Sequence, residues 1–171
     1  MRIFPMAMCH SAYEIDYEAL WDRGYRAVIY DIDNTLTEHG EAATERAVKL
    51  FALLRDLGYR ACVVSNNKEK RVKPFAEAVG CEYVYKAGKP LAKGYMKAAE
   101  LMDTDPSSIF VVGDQLFTDI WGATAAGMKS IMVDRIARHE EIQIHLKRIP
   151  ERVIVFIYRI THRKRGELDL L

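Results

Sequence analysis

The 171 residues hold 25 lysines and arginines against 24 aspartates and glutamates, a formal net charge of +1, and half of them are apolar. A chain of this length buries a real core as one domain, and its balance excludes wholesale disorder and a globally basic nucleic-acid binder. Cys9, Cys62 and Cys81 are odd in number and lack CxxC spacing, which argues against a disulfide framework and for a reducing, cytoplasmic setting. The opening "MRIFPMAMCHSAYEID" shows no uninterrupted apolar run of the kind a cleavable leader needs, so secretion is not expected. The longest aliphatic-aromatic run, "VIVFIY" at 153–158, is too short to cross a bilayer.

In chain order, Asp16 opens a short helix that Gly24 can close, and "RAVIYD" reads as the first strand. Thr44 caps "ERAVKLFALLRDLG", where Val48, Phe51, Leu54 and Leu57 repeat at helical spacing before Gly58. "ACVVS" is a strand, "EKRVKPFAEAVG" a broken or proline-adjusted helix, and "EYVY" a short strand. Pro90 starts a helix running through Met102, and "DTDPSS" is a turn. "IFVVG" (strand), "TDIWGATAAG" (helix) and "SIMVD" (strand) come next; from about Ala137 the alternation breaks and the chain turns basic. Strands alternating with helices, several of them continuously apolar, predict an α/β fold: a Rossmann-like three-layer sandwich with a mostly parallel sheet.

In such sheets ligands bind beyond the carboxyl ends of the strands. Asp31 ends the strand at 26–31 and Asp33, Asn34 and Thr35 follow it, Ser65, Asn66 and Asn67 come at the end of the next, and Asp114 and Asp119 fall in "GDQLFTD". Lys89 precedes a helix start. Asp31 and Asp33 are two apart, so they share one side of an extended chain, and like carboxylates that close repel unless a cation intervenes. A carboxylate nucleophile, a metal ion and a phosphate cradle explain the set together. Asp31 would attack phosphorus and form an aspartyl-phosphate. Asp33 would protonate the leaving oxygen and later deprotonate water, a role worth roughly 10²–10⁴-fold. Asp31 and Asp114, with the backbone carbonyl of Asp33, would hold Mg²⁺, and Asp119 would order its waters or Lys89. Ser65 and the backbone N–H groups near Asn34 and Asn66 would bind phosphoryl oxygens, and Lys89 would neutralise their charge. Asn34 suits a loop position with positive φ, and Thr35 can hydrogen-bond within the loop and fix the direction of Asp33.

"DIDNT", Ser65, Lys89-Pro90 and "GDQLFTD" resemble, in order, the four motifs of the haloacid dehalogenase (HAD) superfamily over about residues 28–133. The second motif aspartate, Asp33, resembles the phosphatase branch, which implies a Mg²⁺-dependent phosphohydrolase with Asp31 as nucleophile. Only "TEHGEAA" precedes the Thr44 helix, and one helix and one short strand separate Asn67 from Lys89, so no cap domain fits at either place. The chain therefore looks like the capless subclass IIIA group of YqeG-type proteins, related to the phosphatidylglycerophosphate phosphatases. An open site implies a substrate with its own bulk (a lipid headgroup such as phosphatidylglycerophosphate, a nucleic-acid end, a phosphosugar or a phosphoprotein) or, as the competing explanation, a partner subunit that covers it.

The segment at about 139–171 carries Lys147, Arg148, Arg152, Arg159, Arg163, Lys164 and Arg165, with Val153, Phe156, Ile157 and Ile160 on a helical stripe. It reads either as a terminal helix packed on the sheet with a solvated basic tail, or as a membrane contact gaining about 1 kcal/mol per basic group. The scattered histidines lack metal-ligand spacing, although His39 could meet substrate. Trp21 and Trp121 read as packing residues. A receiver-type phosphoacceptor module shares Asp, Mg²⁺, Ser and Lys on a parallel α/β fold; Asp33 argues against it, because a mere acceptor needs no acid–base group.

Overall fold

The structure, a computed structural model, describes residues 4–136. The basic amphipathic segment expected at 139–171 lies outside the described residues. Among the described residues, six strands form one wholly parallel sheet: β1 (Ala7–Cys9), β2 (Ala27–Tyr30), β3 (Arg60–Val64), β4 (Glu82–Val84), β5 (Ile109–Gly113) and β6 (Lys129–Val133), in the order β1-β6-β5-β2-β3-β4. Five α-helices among the described residues connect them: α1 (Tyr17–Asp22), α2 (Glu45–Asp56), α3 (Glu69–Val79), α4 (Ala92–Leu101) and α5 (Trp121–Ala125).

Period-two alternation divides the central strands β2, β3 and β5 between two cores. Val28, Tyr30, Val63, Phe110 and Val112 face Leu50, Phe51, Leu54, Val72 and Phe75 of α2 and α3. Ala27, Ile29, Cys62, Val64 and Val111 face Tyr95, Ala98 and Ala99 of α4, Met102 just past its end, and Ala123 of α5. Burial on both faces is why β2 and β5 read as unbroken apolar runs; each fully buried Val, Ile or Phe contributes roughly 1.5–3 kcal/mol.

Local chemistry sets the helix ends. The Asp16 and Thr44 side chains accept from the N–H groups of Ala19 and Ala47, capping α1 and α2. Gly80 closes α3 in the left-handed region at φ 71°. Several expectations are corrected. β1 is a strand that the sequence does not announce: three residues cannot show alternation, and its place beside β6 is decided by pairing across the sheet. The buried stripe of α2 is Ala47, Leu50, Phe51 and Leu54, which leaves Val48 38% exposed. α3 runs unbroken through Pro74, because burying Val72, Phe75, Ala76 and Val79 outweighs the roughly 3 kcal/mol a mid-helix proline costs. α4 begins at Ala92, since residues 88–91 form a turn closed by Leu91 N–H on Gly88 O (2.9 Å) around a cis Lys89–Pro90 bond. Trp121, expected as a packing residue, is 37% exposed.

The chain winds from β2 through β3 to β4 on one side and returns to β5 and β6 on the other. Strand order therefore reverses between β2 and β5, and the crevice at that switch point opens at their carboxyl ends. Asp31 directly succeeds β2 and Asp114 directly succeeds β5. Among the described residues, neither the β2–α2 connection nor the β3–α4 segment contains an inserted domain.

Candidate active site

Asp31 continues the β2 ladder by one bond, its N–H donating to Val112 O at 3.0 Å, and this aims its carboxylate into the crevice beside Asp114. Asp119 reaches the same place from a π-helical turn, Leu116–Ile120, that precedes α5. The N–H groups of both Asp119 and Ile120 converge on Gln115 O (2.9 and 3.3 Å), and the Gln115 N–H donates back to Asp119 Oδ2 at 3.1 Å. Such wide turns recur at functional sites because they re-aim one side chain. Gly113 makes room for it: a Cβ there would collide with the Asp119 carboxyl group. One oxygen each from Asp31, Asp114 and Asp119 lie within 4.8 Å of one another, all three side chains buried.

Lys89 enters from the opposite wall. Asn66 clamps its backbone, accepting from Lys89 N–H through Oδ1 (2.8 Å) and donating to Lys89 O through Nδ2 (3.2 Å). Lys89 Nζ then donates to Asp31 Oδ1 at 2.6 Å and to Asp119 Oδ1 at 2.7 Å, with 5% of the side chain exposed. On the far side, Arg135 Nε stands 2.9 Å from Asp114 Oδ2.

Burial dominates the electrostatics. It pushes the Asp31 carboxyl up to about 6, opposed by Lys89 and reinforced by Asp119. Burial and the Asp31 charge push Asp114 up to about 7 against Arg135 and Lys89. Asp119 is raised by burial and opposed by Lys89. Burial alone would lower Lys89, but Asp119 and Asp31 outweigh it and hold the ammonium charged. Three carboxylates against two cations leave an excess of negative charge on hard oxygen donors, which suits Mg²⁺.

Asp33 sits in the loop after β2. Asn34 takes φ 65°, as its residue type suggested. This folds the chain back so that Asn34 N–H donates to Thr37 O at 2.7 Å; that N–H, expected at the phosphate, is spent inside the loop. Thr35, also expected there and on Asp33, points its hydroxyl at Asp114 Oδ1 (3.4 Å). Asp33 is held by other groups: Gly40 N–H (2.9 Å) and Arg71 Nη2 (2.8 Å) on Oδ1, and Asn67 Nδ2 (2.6 Å) on Oδ2. The mostly exposed His39 ring lies 3.9 Å from Oδ1. Ser65 is buried at the end of β3, where its Oγ accepts from Asn67 N–H (3.1 Å). Sequence reasoning does not find Arg71 or Arg135 as site residues, and it places Asn67 on the rim after the second strand without a role. Asn67 and Arg71 lie 34 and 38 residues from Asp33, and no local pattern announces that they pair with it.

The sequence matches the family of haloacid dehalogenase-like hydrolases over residues 40–127. It is 34% identical to the "Probable phosphatase YqeG" of Bacillus subtilis (strain 168) over 152 residues, 88% of each chain. It is 30% identical to the glyceraldehyde 3-phosphate phosphatase of Pyrococcus abyssi over half of this chain and 40% of that one. It is 25% identical to phosphatidylglycerophosphate phosphatase 1 of Arabidopsis thaliana over 74% of this chain and 39% of that one. The fold is similar to that of a HAD phosphatase from Thermococcus onnurineus (TM-score 0.52, 16% identity, 68% of this chain, 90% of that chain). A HAD family hydrolase from Deinococcus radiodurans with bound phosphate and sodium is similar as well (TM-score 0.56, 15% identity, 73% and 88%).

Proposed function

Since the chain belongs to the haloacid dehalogenase-like hydrolases and is a phosphatase of that family, we propose that it hydrolyses phosphomonoesters through an aspartyl-phosphate on Asp31. The observation that carries this reading is the convergence of Asp31, Asp114, Asp119 and Lys89 at the β2/β5 switch point. In the first step an Asp31 oxygen bonds to phosphorus, the ester P–O bond breaks, and the departing oxygen takes a proton from Asp33. In the second, water attacks phosphorus and gives its proton to Asp33, the bond to Asp31 breaks, and inorganic phosphate leaves. Lys89 faces the phosphoryl charge, and Ser65 with the backbone N–H of Asn66 orients the phosphoryl oxygens. Asp31, Asp114 and Asp119 would hold Mg²⁺, whose chemistry when bound is to offset negative charge on the carboxylates and the phosphoryl group.

We take the substrate to be a bulky phosphomonoester, with a lipid headgroup of the phosphatidylglycerophosphate type first. Three observations support it: the uncapped crevice, the apolar Leu91 (67% exposed) two residues from Lys89 and Trp121 two residues from Asp119, and a relative that bears that name. On this reading the basic segment at 139–171 is the membrane contact of a single-domain cytoplasmic protein; no described helix is long and apolar enough to cross a membrane. The test is Mg²⁺-dependent phosphate release from phosphatidylglycerophosphate in mixed micelles beside an aryl phosphate, with Asp31→Asn as control. Strong preference for the lipid, lost in the variant, supports substrate and mechanism together. Release from the aryl ester alone keeps the chemistry and moves the search to nucleic-acid ends, phosphosugars and phosphoproteins.

A further inference from the structure

Asp33 must present one oxygen to the leaving group, yet three donors from two parts of the chain already grip it. A carboxylate offers about four acceptor positions. On Oδ1 two are taken, by the Gly40 N–H at 2.9 Å and Arg71 Nη2 at 2.8 Å; on Oδ2 one is taken, by Asn67 Nδ2 at 2.6 Å. The remaining acceptor position is on Oδ2. Gly40 lies in the same loop as Asp33, so its bond is local, whereas Asn67 precedes α3 and Arg71 stands in its first turn. Two of the three donors therefore tie the β2 loop to the start of α3.

Arg71 is suited to this and to little else. Its side chain is only 18% exposed and sits over the Phe75 ring, 5.8 Å from its centroid. Its Nε is buried with no hydrogen-bond partner among the described residues, so Asp33 is the acceptor that compensates a half-buried guanidinium. Removing the guanidinium would free Oδ1 to rotate toward solvent or toward Asn67, and the carboxyl would lose its single orientation.

We propose that Arg71 is a positioning residue for Asp33: it occupies Oδ1, so that Oδ2 is the oxygen that meets the leaving group. This rests on the reading of Asp33 as the acid–base group. A group that acts by orienting the acid matters most where the departing oxygen needs a proton, and least where it leaves readily as an anion. The experiment compares glycerol phosphate, whose alkoxide needs the proton, with dinitrophenyl phosphate, whose phenolate does not. Wild type, Arg71→Met, Arg71→Lys, Asp33→Asn and the Arg71→Met/Asp33→Asn double variant are measured.

Arg71→Met should lose about 100-fold in kcat/KM on glycerol phosphate and under about fivefold in the first-turnover burst of dinitrophenolate. Arg71→Lys, which keeps a donor, should recover part of the loss. The double variant should be no worse than Asp33→Asn, because both changes act through one carboxyl group. Equal losses on both esters, or losses that multiply in the double variant, would overturn the assignment. If Arg71→Met does not fold, Asn67→Ala reads the other grip on the same carboxyl and should show the same dependence on leaving group; its absence counts against the inference. Where the wild type releases phosphate in an Asp31-dependent way from neither ester nor from phosphatidylglycerophosphate, the aspartyl-phosphate reading itself falls and this inference with it.

Discussion

Lys89 Nζ and Asp31 Oδ1 stand 2.6 Å apart in a crevice where 5% of the lysine side chain meets solvent, and the same ammonium lies 2.7 Å from Asp119. The two carboxylates come from opposite sides of the sheet's switch point, so one cation ties the end of β2 to the turn before α5. Removing it leaves buried negative charge without compensation. Lys89→Met should therefore destabilise the metal-free protein by about 3–5 kcal/mol near neutral pH. The loss should shrink near pH 5, where Asp31, already raised to about 6, takes up a proton. Urea unfolding at both pH values checks this, and a variant as stable as wild type at neutral pH would mean the ammonium compensates nothing.

Burial raises Asp31 to about 6 and Asp114 to about 7, from ordinary values near 3.8. The folded state thus binds these protons more tightly than the unfolded chain does. Their contribution to stability is fully present below about pH 4 and is lost as pH rises through 6 and 7. In metal-free protein, melting curves should show a stability loss over that window that is smaller in Asp114→Asn. Millimolar Mg²⁺ should raise the melting temperature most above pH 7, where the carboxylates are ionised, and least at pH 5. A Mg²⁺ effect that is the same at pH 5 and pH 8 would place the ion elsewhere.

Asp31→Asn should abolish phosphate release, because an amide oxygen cannot serve as the nucleophile, while the protein stays folded. Lys89 keeps Asp119 as a partner and burial already penalises the Asp31 charge, so the unfolding free energy should move far less than in Lys89→Met. Phosphate release and circular dichroism on one preparation decide it. Full activity in this variant would remove the mechanism.

Gly113→Ala should impair both stability and turnover. The new methyl would strike the carboxyl group of Asp119, and relief requires either the end of β5 or the π-helical turn to move. Overpacking of this kind costs about 1–3 kcal/mol, and here the displaced atoms are those that pair with Lys89. A thermal shift beside a kcat measurement would show it. Unchanged turnover would mean that Asp119 tolerates displacement.

Much of this site is legible directly in the chain. Continuous apolar runs at 27–30, 62–64 and 109–112 are the pattern a strand buried on both faces requires, and a parallel sheet puts the residues just past such strands on one rim. Asp31, Ser65 and Asp114 each succeed a strand this way. The φ of Asn34 also agrees with its residue type. The destinations of side chains are not legible in the same way. Thr35 is two residues from Asp33 in sequence yet bonds Asp114, because the Asn34 turn swings it toward β5. β1 pairs with a strand more than 100 residues later, a contact that three residues cannot announce.

Fold class, the order of the elements from β2 onward and the residue types available at the rim are fixed by the chain alone, because they depend on local periodicity and on the residues placed just past each strand. Which charges meet is settled only when the chain has folded. Lys89 bridges Asp31 and Asp119, Arg135 faces Asp114, and Arg71 with Asn67 grips Asp33. Those pairings join residues that are mostly dozens of positions apart, and their energies depend on distance and burial, quantities that exist only once the sheet has closed around the crevice.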